Sequence, residues 1–151
     1  MIDEMTVTRL VFASPARCHE LVADVGAYGE WARDLKGVSI DSSDESGRPS
    51  QATFRVGAMG RSATYTLGYD HSEGPEVIRW SLVEGDIVRL LDGSYEFLAV
   101  DGEPDQTQVR YHLRVELAVP LPGFVKRRAE GRIMHAALDD LQARVEVDPA
   151  L

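Results

Sequence analysis

Apolar and polar positions alternate along most of this chain, and the period of the alternation changes twice. From Met5 to Ala13 the run MTVTRLVFA is rich in β-branched residues and free of Gly and Pro, so it predicts a first strand. At Ser14-Pro15 the period lengthens. Ser14 is placed to cap a helix and Pro15 to occupy its first position, although Arg17 stands where a full capping box needs Glu or Gln. Cys18, Leu21, Val22 and Val25 then recur at helical spacing. Asp24 can cap a second short helix in which Tyr28, Trp31 and Leu35 share a face.

From GVSI at 37–40 onward the period returns to two. A polar, turn-rich connector, DSSDESGRPS (41–50), leads into five further alternating runs. These are QATFRVGAM, SATYTLGYD, EVIRWSLVEG, IVRLLDGSYEFLAV and TQVRYHLRVELAV, separated by clusters such as HSEGPE and DGEPDQ. Links this short join antiparallel neighbours, because a parallel pair needs a crossover. Seven strands are predicted, with one buried and one wet face. Tyr65, Leu67 and Tyr69 fall on the inner parity, as do Ile78, Trp80 and Leu82, then Tyr95 and Phe97. In the last strand Val109, Tyr111, Leu113, Val115 and Leu117 alternate with Arg110, His112, Arg114 and Glu116. A helical period closes the chain over 120–147, opened by Pro122, with a predicted inward stripe of Phe124, Arg128, Gly131, Met134, Leu138, Leu141 and Val145.

This order predicts an α+β fold in one domain spanning 1–151. A seven-stranded curved antiparallel sheet is gripped by two short helices after strand 1 and by a long C-terminal helix across its concave face. A single helix over a strongly curved sheet leaves space beneath it, and concave apolar spaces of that kind hold small molecules. The chain resembles the START-like (SRPBCC) helix-grip superfamily, especially its polyketide cyclase/dehydrase and coenzyme-Q-binding-like group. SPARCHELVADVGAYGEWARDL carries the resemblance through its small-Pro start and Tyr-x-x-Trp ending, joined by IRWSLVEG, LDGSYEF and LPGFVKRR in the last helix. The resemblance covers essentially the whole chain. It implies a fold shared by lipid carriers and aromatase/cyclases, and so does not choose between carriage and catalysis.

Charge narrows the partners. Sixteen Lys and Arg against 25 Asp and Glu give −9, which disfavours nucleic acid as a partner because phosphate neutralisation needs a basic surface. The single cysteine, Cys18, lies on the apolar side of its helix and reads as a small core residue. No apolar run reaches the length of a membrane span, and the acidic start MIDEMTVTRL is unlike a signal peptide. A cytoplasmic protein without stable membrane insertion is therefore expected; the oligomeric state is left open.

The sequence offers little catalytic chemistry. His19, His71, His112 and His135 lie on four different elements with no partner at a ligand spacing, so neither a metal nor another cofactor is expected. His19-Glu20 reads as an exposed helix pair, His71 as a turn residue, and Asp139-Asp140 as solvated. Arg128 has two readings: a stem covering apolar surface with its head in water, or a buried cation for a ligand oxygen. Gly131 signals either a close helix–sheet approach or room for a ligand. Lys126, Arg127 and Arg128 beside Phe124 and Val125 form a short basic cluster that could touch an anionic membrane. The aromatic set on the inner parity is core on its face, yet four tyrosine hydroxyls and an indole N–H there all need partners.

These readings define a candidate pocket of Trp31, Tyr65, Leu67, Trp80, Tyr95, Phe97, Tyr111, Phe124, Arg128, Gly131 and Met134, with Tyr28 at its rim. Its expected occupant is a small hydrophobic or amphipathic molecule such as a lipid, an isoprenoid or an aromatic polyketide. The alternative is a polyketide aromatase/cyclase in which Arg128, Tyr65 and Tyr95 polarise a carbonyl of a poly-β-ketone chain. An interaction module using the outer sheet face is a third reading.

Overall fold

The computed structural model describes residues 2–58 and 60–147, with the side chains of 58 and 61 left out. β1 (Asp3–Val11) leads into Ser14, whose Oγ accepts the Arg17 N–H at 3.2 Å and caps α1 (Pro15–Ala23). Cys18, Leu21 and Val22 are buried, as the helical spacing requires. A 3-10 helix, Val25–Glu30, follows; Asp24 occupies its cap position, but its side chain makes no capping bond. The Tyr28 hydroxyl instead ties this turn back to the Val22 carbonyl.

Six strands follow: β2 (Leu35–Ser43), β3 (Pro49–Ala58), β4 (Arg61–Asp70), β5 (Val77–Gly85), β6 (Val88–Val100) and β7 (Glu103–Leu117). They pair antiparallel in the order β1-β7-β6-β5-β4-β3-β2, one seven-stranded sheet. Two strands run further than their patterns suggest. β2 takes in Asp41–Ser43 from the polar connector, and β7 begins at Glu103 because Asp101-Gly102 alone make the turn.

The parity of β7 is as expected: Val109, Tyr111, Leu113, Val115 and Leu117 are buried, while Arg110 and Arg114 are exposed. His112 on the wet face meets Thr6 Oγ1 at 2.8 Å and Glu4 at 2.9 Å. α2 (Gly123–Val145) crosses the concave face and packs on β1, β7 and α1. Its buried positions are Glu130, Met134, Leu138, Asp140, Leu141 and Val145. The second half of the expected stripe is therefore correct, but the first half is not.

Candidate functional site

The inner faces of β4 to β7 build an aromatic floor. Trp80 of β5 lies 5.3 Å from Tyr95 of β6 and 5.6 Å from Tyr111 of β7 between ring centroids, and Tyr95 and Tyr111 meet edge-on at 4.8 Å. Phe97 stacks beside Tyr95 at 6.1 Å. The indole of Trp80 reaches this position because its cross-strand partner is Gly93. A Cβ there would meet Trp80 Cζ2 at 2.6 Å and run into the His112 carbonyl oxygen.

The chain has five tyrosines, and the structure turns all five toward this interior. Burial pushes the Tyr65 phenol up to about 12. Tyr28, Tyr69, Tyr95 and Tyr111 are raised as well, by burial first and then by the charges of neighbouring tyrosines. Groups whose charges act on one another lie close together. At neutral pH they act as hydrogen-bond donors and not as bases. Among the described residues, only the Tyr28 hydroxyl finds a protein partner. Tyr65, Tyr69 and Tyr95 nevertheless keep part of their surface accessible. These phenols lie among apolar and aromatic side chains on the inner face of the sheet.

A line of rings runs from this floor to the surface. Tyr65 stacks on Phe54 at 5.4 Å, Phe54 on Tyr28 at 6.2 Å, and Tyr28 meets Trp31 edge-on at 5.1 Å. Trp31 in turn lines an open groove of about 390 Å³ with Arg33, Asp139, Asp140, Ala143 and Arg144. That volume falls within the range of small-molecule sites. The Trp31 indole Nε1 is buried without a partner. Ion pairs hold the two walls together: Arg33 Nε to Asp140 at 2.5 Å and Arg144 to Glu30 at 3.0 Å. Asp140 is thus a buried wall residue, contrary to the expectation that it is solvated; it also accepts the Arg33 backbone N–H at 3.1 Å.

The opposite end of the floor is polar, and the sequence did not reveal it. α1 lays His19 edge-on to Phe97 at 6.0 Å, and His71 stacks on Tyr69 at 6.1 Å. The His71 Nε2–H donates to the Pro49 carbonyl at 2.7 Å, leaving Nδ1 buried and unpaired. His19 Nε2 is likewise buried and unpaired, and burial, aided by His71 and Arg48, lowers its affinity for a proton. His19 is half-buried, not the exposed residue expected from local pattern, and His71 opens the turn after β4 as expected but is buried there.

Of the predicted pocket residues, Leu67, Trp80, Phe97, Tyr111 and Met134 are buried, and Tyr65, Tyr95 and Trp31 half-buried, on the inner side. Three are not brought in. Phe124 is 62% exposed and Arg128 is exposed, which excludes the buried-cation reading and removes Arg128 as a donor to a ligand in this interior. Lys126 and Glu130 take the inward positions, and residues two places away lie about 200° round the helix. Gly131 is only half-buried, and a Cβ on it would meet nothing within 4 Å, so close packing does not account for it.

Glu130 was not recognised from sequence. It is 3% exposed, and its carboxyl is pushed up to about 7 by burial and by the neighbouring Asp3. A gap of about 10 Å³ beside it, lined by Met5, Leu113, Val115 and Met134, is large enough for one water. Among the described residues no group of three His, Cys, Asp or Glu could hold a metal, and no helix is long and apolar enough to cross a membrane.

Known structures share this architecture. A START superfamily protein from Mycobacterium smegmatis is 26% identical, with a TM-score of 0.86 over 95% of this chain and 97% of that one. The Zhui aromatase/cyclase from Streptomyces sp. R1128 is 19% identical, with a TM-score of 0.83 over 99% and 98%. A protein from Thermus thermophilus, TTHA0849, is 21% identical, with a TM-score of 0.75 over 95% and 97%. No curated protein matches the chain significantly. The family model described as polyketide cyclase / dehydrase and lipid transport matches residues 3–146, and the chain belongs to that family.

Proposed function

We propose that this protein is a single ligand-binding domain that holds one small amphipathic molecule between the inner sheet face and α2, admitted past Trp31. The observation that carries the reading is the set of four inward phenols, Tyr65, Tyr69, Tyr95 and Tyr111, with no protein partner among the described residues. Donors without a protein partner are ordinarily satisfied by water or by a guest. A guest with an apolar body and several oxygen acceptors would satisfy them while covering the apolar floor. A purely hydrocarbon guest would leave them unpaired, so an aromatic polyketide or quinone-like molecule suits the lining better than an alkyl chain.

The test is displacement of bound 1-anilinonaphthalene-8-sulfonate by flat aromatic hydroxyketones. Wild-type protein should bind the dye at a single saturable site and release it to the competitor. A Tyr65→Phe/Tyr95→Phe variant should keep the dye but lose roughly tenfold or more in competitor affinity, since each lost bond to a neutral partner is worth about 1 kcal/mol. Absence of saturable binding, or identical competition by both proteins, would remove the reading.

A further inference from the structure

The outward face of the first half of α2 carries an inference independent of the interior. Phe124 is 62% exposed, and Arg127, Arg128 and Arg132 are exposed on the same side, while the half-buried Lys126 lies on the other face beside Glu130. Residues 123–132 hold four of the sixteen Lys and Arg of the chain. They hold one of its 25 acids, Glu130, which is turned inward and buried. A protein of net charge −9 thus concentrates cations around one uncovered aromatic ring. The neighbouring acids do not neutralise the patch. Arg132 meets Asp34 only at 3.8 Å with both side chains well exposed, a pairing worth little in water. Glu116 acts on Lys126, which is turned away from the patch.

We propose that this face is a docking surface for an anionic lipid bilayer. A large apolar ring flanked by three arginines, Arg127, Arg128 and Arg132, suits the headgroup boundary, where the ring enters the acyl margin and the cations meet phosphates. Nucleic acid is the poorer match, because the rest of the chain is acidic and would repel a second stretch of phosphates. The Arg132–Asp34 contact joins the patch to the segment that follows Trp31, so a docked protein presents the Trp31 groove close to the membrane.

Sedimentation with phosphatidylcholine vesicles, with and without phosphatidylserine, tests this. Wild-type protein should sediment only with the anionic vesicles and be released as salt rises. Arg127→Glu/Arg128→Glu should lower the partition coefficient at least about tenfold. Phe124→Ser should lower it severalfold with the salt dependence retained. All three side chains are exposed, so circular dichroism should be unchanged. The proposal is overturned if wild-type protein ignores phosphatidylserine vesicles or if neither variant weakens binding. It is also overturned if polyuridylate binds more tightly than vesicles and is lost in the same variants. Dye displacement from the interior is read separately, so either proposal can fail alone.

Discussion

Replacing Gly93 with Ala should test the packing of the floor severely. The added Cβ would stand 2.6 Å from Trp80 Cζ2 and collide with the His112 carbonyl oxygen, which belongs to the neighbouring strand. Neither obstacle yields easily. The carbonyl is fixed by the β6–β7 ladder, in which Gly93 pairs with Leu113, and Trp80 is held between Tyr95 and Tyr111. Overpacking a core costs about 1–3 kcal/mol, and two rigid obstacles place this change at about 3. In a domain of this size that lowers Tm by roughly 6–12 °C. Urea unfolding followed by tryptophan fluorescence gives the free energy, and near-ultraviolet circular dichroism should show the displaced Trp80. Adding Trp80→Phe should recover part of the loss, because it removes one obstacle and leaves the other. Stability within about 0.5 kcal/mol of wild type, with an unchanged near-ultraviolet spectrum, would refute the claim that Trp80 lies against Gly93.

Three further outcomes follow from the titrating groups and the Arg33–Asp140 ion pair. In a spectrophotometric titration of the folded protein no tyrosine should ionise near its ordinary pKa of 10; because the fold holds protons that the unfolded chain loses there, stability should fall above pH 10 by about 1.4 kcal/mol per pH unit for each phenol. Glu130 is raised from 4.5 to about 7, so the folded state retains a proton that the unfolded state releases in that window, and stability should decline across it. Glu130→Gln should abolish this decline, stabilising the protein at pH 8 and changing little at pH 4 in paired urea titrations. Arg33→Ala should cost about 1–2 kcal/mol by leaving the buried Asp140 carboxylate with only a backbone partner, and Arg33→Ala/Asp140→Asn should recover part of it.

The sheet was legible because its patterns are local. Val109 to Leu117 alternate without interruption, and links as short as Asp101-Gly102 permit only antiparallel neighbours. The floor was legible for the same reason, since Tyr65, Trp80, Tyr95 and Tyr111 all keep strand parity. Reading failed where a charged residue is buried through a distant partner. Glu130 meets Asp3 and Asp140 meets Arg33, contacts between residues more than a hundred positions apart that no periodicity encodes. Without those partners the first half of α2 reads as though Phe124 and Arg128 face inward, which reverses the helix. His19 and His71 escaped for a related reason, as each looks polar and local until the fold sets it beside Phe97 or Tyr69. Tyr69 was assigned to the inner face but left out of the pocket, and the convergence of all five hydroxyls is visible only in three dimensions.

The central claim is that the partnerless phenols mark the place of one amphipathic guest. Native mass spectrometry of the purified protein with a flat aromatic hydroxyketone addresses it most directly. The account requires a one-to-one complex, alone or in exchange for a co-purified mass, that survives in the Phe124→Ser protein and is largely lost in Tyr65→Phe/Tyr95→Phe. A wild-type protein that forms no complex, or a double variant that forms it equally well, would contradict the account.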